Sequence, residues 1–151
     1  MALNNIVTID AVTRTLRFAY QLVTSGWCQD TGALDRAGEA VEPYDSDACE
    51  WCLTGAIIRA AYPPAGFYIL SEMDRQLYLR RQEDYQNLLA ETLKVVEFVI
   101  GEYYPDGRQR GLRPISLLGD WNDEPLRTKD EVVDLLARAV EVSEKRLGGT
   151  E

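Results

Sequence analysis

The stretch between Asp47 and the paired prolines Pro63 and Pro64 is apolar on almost every side of a helix. Asp47 and Glu50 match the capping-box signature of a helix start, and the prolines predict its end. A helix that is apolar all round must be covered on several sides, so we expect the other helices to pack around it. Gly55 leaves room for another helix to approach. The apolar positions are Cys49, Trp51, Cys52, Leu53, Ala56, Ile57, Ile58 and Ala60.

Three further segments show helical periodicity. Residues 9–24 and residues 73–104 carry apolar side chains every three to four positions, the second with a break expected near residues 82–84. A capping box of Thr128 and Glu131 predicts the start of the last helix. These segments, with the stretch that follows Asp47, account for the main helices.

The predicted fold is all-α, a single-domain helical bundle of four to five helices over residues 1–151. A long loop is expected at residues 27–46, since this stretch is rich in glycine and acidic residues. The middle segment, residues 63–82, has an ambiguous pattern, and residues 67–70 within it fit a short strand or an extended connection. A single short strand is too little for a sheet.

The composition excludes several kinds of site. The chain contains no histidine, which removes Ser-His and Cys-His nucleophile pairs and His-ligated zinc. Sixteen basic against 25 acidic residues give a formal charge of −9, a field that repels phosphate backbones, so nucleic-acid binding is not expected. No apolar run approaches about 18 residues, so no membrane span is expected. No export signal is visible, which predicts a cytoplasmic location with reduced thiols.

Cys49 and Cys52 form a CxxC motif with three open interpretations. At a helix N-terminus the dipole favours a thiolate, which suits redox chemistry, but the βαβ scaffold that usually accompanies it is not visible. Together with Cys28 they offer three zinc ligands, and only a carboxylate could supply the fourth. As small apolar side chains they would simply fill space in a buried helix. The last interpretation is favoured, so no metal and no cofactor is expected.

Two loops that carry tryptophans indicate a binding pocket. Trp27 and Trp121 would form its aromatic walls, and the polar groups beside them would hold a sugar, a base or a polar peptide. In the alternative interpretation Trp27 and Trp121 are loop anchors that cover helix ends. Asn122 then caps a turn and bonds the backbone, and Asp123 and Arg127 form an ion pair. No catalytic residue is assigned. The candidate ligand-binding residues are Trp27, Gln29, Asp30, Trp121, Asn122, Asp123 and Arg127.

Two blocks of the sequence resemble a known family. The first joins Gly26-Trp27-Cys28-Gln29 to the WCLTGA stretch at residues 51–56, and the second is WNDEPLRT at residues 121–128. Together they are similar to a family of small uncharacterised bacterial and phage proteins, a domain of unknown function with WCxxGA and WNDxPxRT blocks. The resemblance covers roughly residues 9–62 and 119–143. It implies a soluble domain in which the two blocks pack together, and it implies no activity, cofactor or substrate.

The leading hypothesis is a small acidic cytosolic protein that binds or regulates a basic protein partner, because acidic fields accelerate encounters with basic surfaces. The alternative is a small-molecule-binding protein or minor enzyme that uses the pocket at Trp27 and Trp121. A homodimer through the second or the last helix is a third hypothesis. An enzyme is disfavoured because no catalytic constellation is visible. The cluster of Arg108, Arg110 and Arg113 is interpreted as a solvated turn.

Overall fold

A computed structural model describes residues 9–62, 72–104 and 114–147. Within these ranges the chain forms five helices, so it is mostly helical, as predicted. None of them combines the length and the apolar character needed to span a bilayer. The helices are α1 (Ile9–Ser25), α2 (Leu53–Ala61), α3 (Glu72–Tyr103), α4 (Pro114–Asn122) and α5 (Lys129–Leu147). The short strands are β1 (Ala33–Leu34), β2 (Ala40–Val41) and β3 (Glu50–Trp51).

The prediction of a purely helical fold is wrong, because the three strands form a small antiparallel sheet in the order β2-β1-β3. Ala33 pairs with Val41 on one side and with Trp51 on the other. Trp27 adds an isolated parallel bridge to Trp51. Strands of two residues are too short to show the alternation by which a strand is recognised in sequence. The segment that was predicted to be a long loop is therefore partly sheet.

Helix α2 begins later than the Asp47 signature predicts. Its N-cap is Cys52, whose Sγ accepts the amide N–H of Gly55 at 3.2 Å. Asp47 lies in a turn instead, where its own N–H donates to the Oδ1 of Asp45 at 2.8 Å. Glu50 belongs to β3. The helix ends at Ala61, with its C-cap Tyr62 standing before the prolines that predict its end.

The main chain of Trp51 explains the late start of α2. Its N–H donates to the carbonyl of Gly26 at 3.0 Å, and its carbonyl accepts from the N–H of Cys28 at 3.3 Å. These bonds hold Trp51 in an extended conformation, so the helix cannot begin before it. Main-chain contacts between distant segments have overridden a local capping signal.

Helix α2 packs in the core against α1, α3 and α4, whereas α5 packs mainly against α1 and α3. Leu53, Ala56 and Ile57 have no exposed surface, as the apolar pattern predicts. The approach predicted at Gly55 also occurs, but its partner is the main chain of Gly32 and not another helix.

Helices α1 and α5 lie against each other and cover one side of the core. Val12, Leu16, Ala19 and Val23 of α1 are buried, and the hydroxyls of Thr13 and Ser143 share a buried hydrogen bond between the two helices. The inward face of α5 consists of Val132, Leu135, Leu136 and Ala139.

Helix α3 runs without interruption through residues 82–84, so the predicted break is wrong. Residues 72–82 of the ambiguous middle segment are therefore helical. The strand signal at residues 67–70 and the arginine cluster at residues 108–113 lie outside the described residues. The buried face of α3 includes Leu89, Leu93, Val96, Val99 and Ile100.

Candidate functional site

Asn122, the last residue of α4, has no exposed surface and uses all four hydrogen-bonding positions of its side chain. Its Oδ1 accepts the indole N–H of Trp27 at 2.8 Å and the amide N–H of Leu53 at 3.0 Å. Its Nδ2 donates to the carbonyl of Cys28 at 3.2 Å and to the Oδ1 of Asp123 at 2.9 Å. One side chain thus joins α4, the segment that follows α1, and the first turn of α2.

Gln29 and Asp30 extend this connection. The Nε2 of Gln29 donates to the carbonyl of Asn122 at 3.0 Å and to that of Glu124 at 2.9 Å. The amide N–H of Asp30 donates to the Oδ1 of Asp123 at 2.9 Å. Asp30 has a φ of 70°, a left-handed conformation that Asp tolerates better than most residues. The chain therefore turns sharply at this residue to meet α4.

Arg127 holds the other side of the same region. Its Nε donates to the carbonyl of Trp121 at 2.9 Å, and its guanidinium carbon lies 3.8 Å from the centroid of the Trp121 ring. It also faces Glu131, with an N–O distance of 3.6 Å. Only 12% of its side chain is exposed. The ring of Tyr104 meets that of Trp121 edge to face, with centroids 5.0 Å apart.

The structure brings together all seven candidate ligand-binding residues, in what we call the Asn122 junction. Their polar groups mainly bond one another and nearby main chain. Trp121 is 1% exposed and packs in the core, and Asn122 ends a helix instead of lying in a loop. The predicted ion pair of Asp123 with Arg127 is not what orients Arg127, since its partners are Trp121 and Glu131. Ligand binding by the junction stays a prediction. The seven residues are Trp27, Gln29, Asp30, Trp121, Asn122, Asp123 and Arg127.

Sequence reasoning missed the main-chain groups that complete the junction. These are the amide of Leu53 and the carbonyls of Cys28 and Glu124. Nothing in a sequence marks a particular main-chain group as a partner of a distant side chain. The resemblance to a family with two blocks was the only signal that pointed to their contact.

The three cysteines are free thiols, and their positions disfavour redox chemistry between the two members of the CxxC motif. Cys49 and Cys52 flank β3, and residues three apart in an extended chain lie about 10 Å apart on opposite faces. Burial raises the pKa of the Cys28 thiol to about 12, and burial also raises that of Cys52. Both are therefore protonated near neutral pH. Among the described residues, no group of three or more cysteine, aspartate or glutamate side chains is placed to hold a metal ion.

Residues 27–50 form a strongly charged surface, which we call the acidic segment. They include seven acidic residues and one arginine, so they carry six of the nine net negative charges of the chain. Asp30, Glu39, Glu42 and Asp47 are exposed, and the other three carboxylates are half-buried. A cavity of about 480 Å³ opens here. Its lining residues are Asp35, Arg36, Ala37, Ser46, Asp47, Ala48 and Cys49.

Side chains fix the turns of the acidic segment. The Oδ1 of Asp35 accepts the amide N–H groups of Ala37 and Glu39, each at 2.9 Å. The indole N–H of Trp51 donates to the carbonyl of Pro43 at 2.9 Å. An aspartate that bonds the backbone two residues ahead stabilises a turn. The charges are therefore carried on a backbone with a defined shape.

The end of α2 also supports the acidic segment. Arg59 donates from its Nη1 to the carbonyl of Tyr44 at 2.8 Å. The Tyr44 ring stacks on that of Tyr62, with centroids 4.4 Å apart, and Tyr62 meets Tyr85 of α3 edge to face. The segment is thus attached to α2 and, through Tyr62, to α3.

A model of a family of unknown function, DUF6197, matches residues 8–142. The chain belongs to this family. The resemblance to a domain of unknown function is thereby confirmed, and the DUF6197 match also runs through residues 63–115, which the two blocks left out. It includes the whole Asn122 junction and the whole acidic segment. A search of curated proteins and a search of solved structures each find no match.

Proposed function

We propose that this DUF6197 protein is a non-enzymatic binding protein that recognises a basic protein partner through the acidic segment. The observation that carries the proposal is the concentration of six of the nine net negative charges in residues 27–50. A field of this kind raises the rate of encounter with a basic surface and makes it depend on salt.

The attachment of the segment supports a role in recognition. Its turns are held by Asp35 and Trp51, and the Asn122 junction fixes its start. A surface that keeps its shape before binding loses less conformational entropy when a partner docks. A segment that served only to keep the protein in solution would not need such attachments.

The chemistry of the site favours binding over catalysis. The chain has no histidine, and the buried thiols of Cys28 and Cys52 have raised pKa values. The alternative, a small-molecule site at Trp27 and Trp121, has less support. The Trp121 ring is buried, and the polar side chains around it are used in the junction, although the indole N–H of Trp121 has no hydrogen-bond partner among the described residues.

The experiment compares two variants of equal net charge. In the first, Glu39→Gln, Glu42→Gln and Asp47→Asn neutralise three exposed carboxylates of the acidic segment. In the control, Glu83→Gln, Glu102→Gln and Glu141→Gln neutralise three exposed carboxylates on α3 and α5. Each protein is used to capture partners from a lysate at low and at high salt, and the retained proteins are identified and titrated.

We expect the wild type and the control to retain the same basic protein at low salt, and the first variant to bind it about tenfold more weakly. Three exposed ion pairs of about 0.5 kcal/mol each account for that factor. Equal weakening by both variants would show that only total charge matters and would reject the acidic segment as the binding surface. Failure to retain any protein selectively at either salt concentration would reject the proposal as a whole.

A further inference from the structure

The register of the chain beside β3 brings Cys28 next to Cys52. Trp27 and Trp51 form a parallel bridge, made by hydrogen bonds from Trp51 to Gly26 at 3.0 Å and from Cys28 to Trp51 at 3.3 Å. Cys28 and Cys52 are the next residues on the two strands. Residues in step on paired strands lie about 4.8 Å apart with side chains on the same face. Cys28 and Cys52 lie one step beyond the last ladder bond, where the side-chain amide of Asn122 bridges the Cys28 carbonyl and the Leu53 N–H. Disulfides join Cα atoms about 4.4–6.8 Å apart.

The electrostatics agree with this placement. Burial is the main cause of the raised pKa of Cys28, and the charge of a Cys52 thiolate is the next. Both side chains are buried, at 6% and 7% exposure. The two cysteines placed to form a disulfide are thus Cys28 and Cys52, which are distant in sequence, and not the two cysteines of the CxxC motif.

We propose that Cys28 and Cys52 form an intramolecular disulfide when the protein meets a small-molecule disulfide oxidant such as oxidised glutathione. One protein thiolate attacks a sulfur of the oxidant, forms a mixed disulfide and releases one glutathione. The second protein thiolate then attacks the protein sulfur of the mixed disulfide and releases the second glutathione. The protein loses two hydrogens and is oxidised by two electrons, and the oxidant is reduced to two thiols.

The cross-link closes a ring of residues 28–52, which contains nearly all of the acidic segment. To form it, the Sγ of Cys28 loses the hydrogen that it donates to the carbonyl of Thr31 at 3.6 Å, whereas the Sγ of Cys52 only accepts, from Gly55 at 3.2 Å, and loses no donor role. The bond then ties the start of the acidic segment covalently to the N-cap of α2. This modification does not depend on the proposed basic partner.

The test incubates the folded protein with oxidised glutathione for hours at mildly alkaline pH, since thiolate attack is slow when burial holds the thiols protonated. Remaining thiols are counted in denaturant, and the disulfide-linked peptides are mapped by mass spectrometry without reduction. We expect the count to fall from three to one, with a peptide that joins Cys28 to Cys52. Oxidation should also raise the midpoint of thermal unfolding.

Two variants serve as controls. Cys49→Ser should go from two thiols to none, and Cys28→Ser should form no intramolecular disulfide. A link between Cys49 and Cys52, a disulfide between two molecules, glutathione attached to single cysteines without an internal link, or an unchanged thiol count would each overturn the proposal. The peptide map of the wild type decides the question even if a variant fails to fold.

Discussion

The carbonyl oxygen of Gly32 lies so close to Gly55 that a Cβ on Gly55 would overlap it. This contact lets the acidic segment pack against the first turn of α2. Gly119 of α4 differs, because a Cβ there would meet no other described atom within 4 Å.

We therefore expect alanine to have opposite effects at these two helical glycines. Gly55→Ala should lower the free energy of unfolding by about 3 kcal/mol, since the obstructing atom is main chain that cannot rotate away. Gly119→Ala should raise it by about 0.5–1 kcal/mol through higher helix propensity. Urea denaturation of both variants measures the two values. Equal effects at the two positions would contradict the packing described for Gly32.

Asn122→Ala tests the junction itself. It leaves the indole N–H of Trp27, the amide of Leu53 and the carbonyl of Cys28 without their partner. Each buried polar group left unpaired costs about 1–3 kcal/mol, and water can reach part of this site once the side chain is gone, so we expect a total loss of about 3 kcal/mol. Chemical denaturation followed by tryptophan fluorescence measures it.

Asn87→Ala, at a half-buried position on α3, is the matched control and should cost no more than about 0.5 kcal/mol. If both asparagines proved equally tolerant of alanine, the junction would not be a stabilising element.

The start of α5 depends on a reciprocal pair of hydrogen bonds. The N–H of Glu131 donates to the Oγ1 of Thr128 at 3.2 Å, and the N–H of Thr128 donates to the Oε1 of Glu131 at 3.0 Å. Thr128→Ala should cost about 1 kcal/mol, and Thr128→Ser should restore most of it because serine keeps the hydroxyl. Thermal unfolding compares the three proteins. A serine variant as unstable as the alanine variant would show that the hydroxyl is not what matters.

Because the pKa of the Cys28 thiol is raised, we expect the protein to lose stability at high pH. Burial raises its pKa from 9.0 to about 12, so the folded state holds this proton more tightly than the unfolded state does. The resulting stabilisation is complete below pH 9.0 and is lost as the pH rises toward about 12. Over that range the free energy of unfolding should fall more steeply for the wild type than for Cys28→Ser, which has no thiol at this position.

The other groups that titrate at high pH are common to both proteins, so the difference between the two pH profiles reports Cys28 together with its electrostatic coupling to Cys52. Parallel profiles for the wild type and Cys28→Ser would rule out a raised pKa at this thiol.

Local signals were enough to predict four of the five helices that the structure describes. Helix α4 was missed, because Trp121 and Asn122 were assigned to a loop. The Thr128–Glu131 capping box is real, and the apolar pattern correctly marks Leu53, Ala56 and Ile57 as core. Asp47 and Glu50 carry an equally good local signal, yet no helix begins there. The difference is that Trp51 is held by main-chain bonds to Gly26 and Cys28, and no local rule accounts for contacts of that kind.

The sequence predicted which residues form the candidate site, and it left two interpretations of their role open, ligand binding and contacts with the backbone. Trp27, Asn122 and Arg127 do come together, as the two sequence blocks indicate. Residue types alone cannot tell whether an amide faces a ligand or a neighbouring segment. That depends on which main-chain groups the fold leaves without partners, and here the amide of Leu53 and the carbonyl of Cys28 are satisfied by Asn122.

The long sequence separation between Asn122 and its partners has a consequence for folding during protein synthesis. Trp27 and Cys28 leave the ribosome more than ninety residues before the asparagine to which they bond. Until translation reaches α4, the indole and the carbonyl can be satisfied only by water or by temporary partners. The start of the acidic segment, at Trp27 to Asp30, therefore gains its last fixed contacts only after α4 has been made, whereas the rest of the segment can be fixed by partners that lie before Pro63.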